Sequence, residues 1–272
     1  MKRVKKQGYT ILEVMIFIAI SASMFFIAMI AISGRQQDTQ FTQAVRDFDS
    51  RLQDLMNDVS TGFFNNPGDF SCTITAGKPN IVSGSEEQGT SDDCIFVGKT
   101  LQFGSAESGS SFVDIYNLIG KRNNAGSNVS SISEANPTTA DPATVPPERI
   151  DLQWGLEVFR VVNKPVTGSN SNHGAISFIT SFARTIGNEQ ISNGQSVRSV
   201  SMPNTTIGAS RAAMFSVIDN PVTYTTIDGS PEADIVLCLQ NQGQERIASI
   251  TINDEGTVKT DVQLDLYDEA CD

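Results

Sequence analysis

Histidine is almost missing from this chain, because His173 is the only one among 272 residues. A hydrolase of the serine–histidine–acid type needs that side chain beside a nucleophile and a carboxylate. His173 belongs instead to the polar stretch 170–174, which predicts a solvent-exposed loop. The sequence therefore gives no support to hydrolytic catalysis, and we expect a protein that is not an enzyme.

Metal-binding and nucleotide-binding patterns are missing as well. No Cys-x-x-Cys motif occurs, and a single histidine cannot complete the usual ligands of zinc. No glycine-rich, phosphate-binding loop follows a predicted strand. The acidic pairs Glu86-Glu87 and Asp92-Asp93 offer the oxygen ligands that calcium prefers, but charges solvated in a loop are the simpler interpretation. We therefore expect no cofactor and no bound metal.

Positive charge is scarce, since 19 lysines and arginines face 31 aspartates and glutamates and leave a net charge of −12. Such a body is soluble and repels nucleic acids and anionic surfaces on average, although a local basic patch stays compatible with it. Hydrophobic residues make up 39% of the chain, which is enough for a sizeable core. Beyond an N-terminal helix, about 210 residues remain for one globular domain with long loops.

Charge of either sign is absent from residues 14–34. Four cations precede this run: Lys2, Arg3, Lys5 and Lys6. A run of this length can span a bilayer as a helix, with the positive flank on the cytoplasmic side. Glu13 stands at its start. A carboxylate in an apolar helix costs up to roughly 3 kcal/mol at the bilayer centre and less near the interface, so it usually has a partner and a function.

The start of the chain resembles the N terminus of type IV prepilins and of the pseudopilins of type II secretion. The matching residues are Gly8, Tyr9, Thr10, Ile11, Leu12 and Glu13. In that family a basic leader ends in glycine and is followed by an aromatic residue, usually phenylalanine, then threonine, two aliphatic residues, glutamate and an apolar helix. The resemblance implies that a prepilin peptidase cuts between Gly8 and Tyr9, that Tyr9 is N-methylated, and that Glu13 acts in subunit docking.

Two other interpretations of the same stretch stay open. An ordinary signal peptide could be cut near Ala31-Ile32-Ser33, and a plain N-terminal anchor would explain the length and the basic flank. Neither explains Gly8 and Glu13 together, and the apolar run is long for a signal peptide.

The helical pattern continues beyond the uncharged run. Apolar residues recur at steps of three and four along residues 35–60, namely Phe41, Ala44, Val45, Phe48, Leu52, Leu55, Met56 and Val59. Thr61-Gly62 predicts the end of the helix, which would be about 50 residues or about 75 Å long. Many pilins have a helix-breaking proline in the first half of this helix, and none is present here.

The resulting organisation has four parts: a cleaved basic leader (residues 1–8), a transmembrane or filament-core helix (9–34), its amphipathic second half (35–62) and a β-rich head (63–272). Period-two segments predict strands at residues 72–75, 94–97, 100–103, 112–116, 150–162, 175–179, 213–217, 235–239, 247–252 and 258–266. The last two would form a hairpin around Asp254-Glu255-Gly256. Residues 75–93 and 121–148 are expected to be exposed polar loops, and Trp154 is expected in the core. The fold class is thus α+β and pilin-like, with a long helix on an antiparallel sheet.

The C-terminal part resembles the end of the H-type pseudopilins and their minor-pilin relatives. The resemblance covers residues 234–238 together with Gly243, Arg246, Ile250, Ile252, Gly256 and Val258. Some relatives bind DNA through a basic segment after the hairpin turn. Here that segment is Gly256-Thr257-Val258-Lys259, where threonine replaces one cation and Asp254 and Glu255 lie alongside. An ordinary surface hairpin is the simpler interpretation.

Four cysteines in a chain with an export signal predict two disulfides outside the cytoplasm. Four cysteines allow three pairings, and their spacing alone does not choose among them. The pilin resemblance implies a Cys238–Cys271 bridge at the C terminus, and proximity in the sequence suggests Cys72–Cys94 across the first polar loop.

The resemblance implies a structural role as a minor pilin or pseudopilin of a type IV pilus or a type II secretion-like filament. The expected partners are other pilin subunits, through the N-terminal helix, the prepilin peptidase and the membrane. The subunit would cross the cytoplasmic membrane once, with its head outside the cytoplasm, and would then enter a cell-surface pilus or a periplasm-spanning pseudopilus. The alternative is a binding module at a pilus tip, either an adhesin for a surface ligand or a receptor for DNA uptake.

Overall fold

The structure is a computed structural model, which describes residues 10–63, 70–83, 93–124, 126–143, 145–180, 182, 185–186, 189–190, 197–230, 233–243, 246–253, 256–263 and 271. The fold is α+β, with an apolar N-terminal helix and antiparallel sheets. The helices are α1 (Ile11–Thr61), α2 (Ile132–Ala135), α3 (Arg211–Ile218) and α4 (Pro221–Gly229), and a 3₁₀ turn covers Gln153–Gly155.

The strands are β1 (Phe70–Thr75), β2 (Lys78–Ser83), β3 (Cys94–Phe103), β4 (Phe112–Lys121), β5 (Asn123–Asn124), β6 (Ser127–Asn128), β7 (Glu148–Asp151), β8 (Leu156–Pro165), β9 (Ser171–His173), β10 (Ala175–Thr180), β11 (Thr185–Ile186), β12 (Glu189–Gln190), β13 (Val197–Ser201), β14 (Ala233–Asn241), β15 (Ile247–Ile252) and β16 (Val258–Gln263). A first sheet has the order β13-β10-β3-β4-β7, and a second sheet has the order β16-β15-β14-β8-β9. The remaining strands pair as two-stranded hairpins.

Helix α1 is continuous over 51 residues, as the sequence predicted. The chain divides into two units, one ending at Gln43 and the other beginning at Ala44. Within the first unit, the segment Ile11–Met29 has a mean hydropathy of 2.4. By length and composition this is the one helix in the described part of the chain that could cross a membrane.

In the second unit, the last turns of α1 supply one buried stripe. Val45, Leu52 and Val59 are completely buried, and the intervening polar residues face outwards. Gly62 then takes a φ of +73°, and the Phe63 N–H donates to the Asp58 carbonyl at 2.8 Å. This left-handed cap ends the helix where the sequence predicted it.

An ion pair joins this helix to the first sheet. The Lys99 Nζ of β3 lies 2.7 Å from Asp58 Oδ2. The lysine side chain is only 2% exposed, whereas Asp58 remains partly open to solvent. A buried ammonium needs such a partner, since an unpaired charge in the interior is strongly destabilising.

Both predicted disulfides are present. Cys72–Cys94 joins β1 to β3, and Cys238–Cys271 joins β14 to the C-terminal end of the chain. The second bridge belongs to a small core cluster with Val162 and Val236. Arg160 of β8 also donates to the carbonyl of Cys271, so the C terminus is held covalently and by hydrogen bonding.

The predicted strand at residues 213–217 is wrong, because this segment is helix α3. Ser210 caps it by accepting a hydrogen bond from the Ala213 N–H at 3.2 Å. Met214 and Ile218 are buried and lie four residues apart, so the apolar pattern has helical spacing. Helix α4 follows directly, and both helices pack with α2 in a core cluster that includes β13 and β10 residues.

The single long strand predicted for residues 150–162 is also wrong. It is interrupted after β7, because the chain leaves the first sheet there and enters the second sheet as β8. Trp154 lies in the 3₁₀ turn between them and is 54% exposed, so its predicted place in the core is wrong too. Its φ of +50° is left-handed, which costs roughly 1–2 kcal/mol for a residue with a Cβ.

The two predicted polar loops contain more order than expected. Residues 75–93 include β2, which pairs with β1 across a turn at Ala76-Gly77. Residues 121–148 include β5, β6 and α2, and Ile132 and Ala135 of that helix are buried. Ser131 caps α2 by accepting a hydrogen bond from the Glu134 N–H. The Ser-x-x-Glu sequence is therefore the local signal for the start of this helix. The carboxylates of Glu86, Glu87 and Asp92 lie outside the described residues.

The C-terminal hairpin of β15 and β16 is confirmed, with Ile247 opposite Gln263 and Ile252 opposite Val258. Gly256 has a φ of +78°, and its N–H donates to the Asn253 carbonyl at 3.0 Å. Glycine is suited to this turn because it lacks the Cβ that makes positive φ costly. Residues 264–266 of the predicted last strand lie outside the described residues.

The buried stripe of α1 makes a testable contribution to the head. Leu52→Ala should lower the free energy of unfolding by about 2–5 kcal/mol, because it removes fully buried methyl groups and leaves a cavity. Proteolysis of the full chain in urea would measure this loss. Asp54→Ala, at an exposed position of the same turn, is the control. Equal resistance of the two variants would contradict the assigned packing of the stripe.

Candidate assembly site on the N-terminal helix

The first part of α1 presents apolar side chains on all sides. Each of these large residues is between 46% and 83% exposed: Ile11, Leu12, Val14, Met15, Ile16, Phe17, Ile18, Ile20, Met24, Phe25, Phe26, Ile27 and Met29. A helix that is apolar all around is stable in lipid or among other apolar helices, but not in water. This surface therefore requires a cover, which lipid or further copies of the helix can provide.

One hydroxyl group within this segment is satisfied locally. Ser23 Oγ donates to the Ala19 carbonyl at 2.8 Å, one turn earlier in the same helix. A serine bonded in this way is compatible with an apolar environment, because its hydroxyl does not need water.

The start of the helix is a capping arrangement. The Glu13 N–H donates to Thr10 Oγ1 at 3.3 Å, which makes Thr10 the cap residue and places Glu13 at the third helical position. Threonine and glutamate at this spacing form the capping-box pattern. A carboxylate in the first turn also lies near the positive end of the helix dipole. The Thr-x-x-Glu pattern was readable in the sequence, and the Glu13 backbone takes part in the cap through its hydrogen bond to Thr10.

Gly8 and Tyr9 lie outside the described residues, and so does the basic leader. The described part of the predicted site is therefore Thr10 to Glu13 and the apolar surface that follows. Thr10 and Glu13 are both exposed, so the carboxylate of Glu13 is accessible to another chain.

The histidine of the head does not lie in an exposed loop, contrary to the prediction. His173 ends β9 and is about half-buried. Its Nδ1 lies 3.0 Å from the Met202 carbonyl, and its Nε2 lies 2.8 Å from Ser171 Oγ. Burial lowers the pKa of His173, and the hydrogen bond to Met202 only partly offsets that effect. The neutral ring thus donates to Met202 and accepts from Ser171.

This serine–histidine contact lacks the other parts of a catalytic site. In the described ranges, no carboxylate is hydrogen-bonded to His173, where a triad would have its acid. The Met202 carbonyl takes that place and fixes the ring. The contact fastens the edge strand β9 of the second sheet to the turn that follows β13 of the first sheet.

The carboxylate of Asp114 is completely buried in the head. Arg211 binds it in a bidentate manner, with Nε at 2.9 Å from Oδ2 and Nη2 at 3.0 Å from Oδ1. Ser105 Oγ donates to it at 2.6 Å. Burial raises the pKa of Asp114, but the hydrogen bonds from Arg211, Ser105 and Ser108 outweigh burial and hold the pKa below its ordinary value. The pair ties β4 to the first turn of α3.

Tyr116 extends this polar network along β4. Its hydroxyl donates to Gln102 Oε1 at 2.7 Å. Burial raises the pKa of Tyr116, and the negative charge of Asp114 raises it further, so the phenol stays protonated. Every one of these groups has a partner within the fold, which is the arrangement of a structural network.

The described residues contain neither a group of metal ligands nor a cluster of cations in the C-terminal hairpin. Within the residues described, no group of three or more histidine, cysteine, aspartate or glutamate side chains could hold a metal ion. In the C-terminal hairpin, Lys259 is exposed, but Asp261 is exposed two residues further along the same strand. Asp254 and Glu255 lie outside the described residues. One cation beside a carboxylate is a weak basis for phosphate binding.

The buried pair of Asp114 and Arg211 should make the free energy of unfolding depend on pH. Asp114→Asn should lower the free energy of unfolding by about 3 kcal/mol near pH 7, because Arg211 loses its buried partner. The folded-state pKa lies below the unfolded value, so the stabilisation is fully present above the unfolded pKa and is lost as the pH falls through the folded one. Urea unfolding of both proteins between pH 7 and pH 2 would measure this. A difference between the two proteins that stays constant with pH would refute the assignment.

Comparison with known proteins identifies no relative, since no family model, no curated protein and no solved structure matches this chain. The functional assignment therefore depends on the residues themselves.

Proposed function

We propose that this protein is a structural subunit of a type IV pilin-like filament, either a minor pilin or a pseudopilin. A prepilin peptidase would cut after Gly8 and methylate Tyr9. The helix would hold the subunit in the cytoplasmic membrane until it moves into a bundle of identical or related helices. The head would remain outside the cytoplasm throughout.

The observation that carries this proposal is the contrast between the two parts of α1. Over Ile11–Met29 the described residues of the chain bury none of the helix, whereas the same helix ends in a buried stripe within the head. A cleaved signal peptide has no need to continue into the core of the mature domain. A plain anchor would tolerate this continuity but does not require a carboxylate at position 13.

Glu13 supports assembly over simple anchoring. Cleavage after Gly8 would make it the fifth residue of the mature chain, near the new α-amine of Tyr9. In a bundle, its carboxylate would pair with the amine of a neighbouring subunit in an apolar environment. Such a pair is costly to break, and it would therefore favour one axial register between subunits.

The disulfides support a head that folds outside the cytoplasm. Cys72–Cys94 and Cys238–Cys271 account for all four cysteines of the chain. Such bridges form and persist in oxidising compartments. The net charge of −12 favours a soluble head and works against an average attraction to DNA.

Cleavage can be tested at the leader. Gly8→Ala should leave the precursor uncut, because the peptidase of the resembled family requires glycine before its cleavage site. Mass spectrometry of the membrane fraction would detect a chain that begins at Met1, while the unchanged protein would begin with N-methylated Tyr9. Gln7→Ala is the control and should be cut normally. Normal processing of Gly8→Ala would count against the proposal.

Assembly can be tested at Glu13 with variants that separate its charge from its capping function. Glu13→Gln retains a capping-box residue but loses the charge. It should be cut normally, yet its amount in sheared filaments should fall at least about tenfold, since an unpaired buried amine costs about 3–5 kcal/mol.

Thr10→Ala is the matched variant, because it removes the cap and keeps the carboxylate. It should assemble better than Glu13→Gln. If Glu13→Gln assembles like the unchanged protein while Thr10→Ala fails, assembly requires the helix cap and not the charge of Glu13, and the docking function is disproved.

A further inference from the structure

Trp154 is displayed on the surface of the head, although it is the only tryptophan in the chain. Tryptophan side chains are large and apolar, so burial usually stabilises them. Here 54% of the residue is exposed. An exposed indole of this kind is typical of contact surfaces, where tryptophan is strongly enriched at the positions that contribute most to binding.

The backbone holds Trp154 in place by an uncommon conformation. Its φ and ψ are +50° and +36°, and Gly155 follows with a φ of +71°. The second left-handed residue is a glycine, where this conformation is unstrained, but the first has a side chain and is strained. The strained backbone conformation thus occurs at the residue whose indole is exposed to solvent.

A neighbouring turn supports this loop. The Gln242 N–H, between β14 and β15, donates to the Gly155 carbonyl at 3.0 Å. A Cβ added to Gly155 would lie only 3.3–3.4 Å from the Gln242 side chain, so the two segments are in close contact. The position of Trp154 is therefore fixed by two segments of the chain, which lowers the conformational entropy lost when a ligand binds.

Two exposed neutral amides lie on either side of Trp154. Gln153 precedes Trp154 in the same turn, and Gln242 packs on Gly155, which follows Trp154. An amide offers donors and an acceptor together, which matches a hydroxyl group that both donates and accepts. The face of the indole is electron-rich and attracts C–H bonds that neighbouring oxygen atoms polarise.

We propose that Trp154, Gln153 and Gln242 form a binding site for a neutral sugar ring of a polysaccharide. The C–H face of the ring would stack on the indole, and its hydroxyl groups would bond to the two amides. A nucleobase could also stack on the indole, but each base brings a phosphate, which the net charge of −12 disfavours. The proposal uses residues of the head alone and does not depend on filament assembly.

The single tryptophan makes the site directly observable, because all tryptophan emission comes from position 154. The full chain would be placed in lipid nanodiscs, since glycoside detergents would compete for the site. Cellohexaose, chitohexaose and mannohexaose are the neutral probes, and hexagalacturonate and a thymidine hexanucleotide are the anionic ones. We expect a saturable change in emission with at least one neutral probe and none with the anionic probes.

Two variants test the geometry. Gln242→Ala should weaken binding of the active probe about tenfold, the effect expected when one hydrogen bond is lost. Trp154→Gly should abolish retention in affinity electrophoresis on that saccharide. Phe63→Ala is the matched control, since Phe63 is also 54% exposed, and it should leave binding unchanged.

Either of two results would overturn the proposal. The first is that no neutral saccharide changes the emission, or that the thymidine hexanucleotide does so instead. The second is that Trp154→Gly is retained on the saccharide like the unchanged protein.

Discussion

The structure depends on one helix that must be covered in two different ways. Over its last turns, α1 buries Val45, Leu52 and Val59 within the head. Over Ile11–Met29 the helix is not buried by any part of the chain that the structure describes. The hydrophobic effect therefore favours any environment that covers the first segment, and it does so without disturbing the packing of the second.

Two buried charged groups of the head are each paired with an opposite charge. Lys99 meets Asp58 at the helix, and Arg211 meets Asp114 between β4 and α3. Buried pairs contribute little net stability compared with apolar side chains of the same size, but they are strongly unfavourable when misaligned. We infer that these pairs select one arrangement of the helices on the sheets.

Elements with strong local signals were predictable from the sequence. The length of α1, its glycine cap at Gly62 and the β15–β16 hairpin all follow from periodicity and turn chemistry. The Thr-x-x-Glu cap at Thr10 was equally readable, because it depends on neighbouring residues alone. Gly8 and Tyr9, the other residues of the predicted site, lie outside the described residues.

The features that could not be predicted depend on the path of the chain between sheets. Residues 213–217 are apolar in a way that fits a strand or a short helix, and only the cap at Ser210 and packing on α2 and α4 decide for the helix. The sequence around Trp154 has the pattern of a strand, but in the structure Trp154 lies in the turn where the chain passes from the first sheet to the second. His173 meets Met202 only because β9 and β13 end near each other in space.

The two disulfides limit how far the chain can be stretched. The cysteines of each bridge are 22 and 33 residues apart, so roughly 180–200 Å of extended chain is enclosed in covalent loops. A pull between the helix and the C terminus would bypass these loops, and only the remaining segments could unravel. In the proposed filament, the bridges would reduce the length by which each subunit can extend under tension. They would also limit the conformations of a partly unfolded head, which favours refolding when the load is removed.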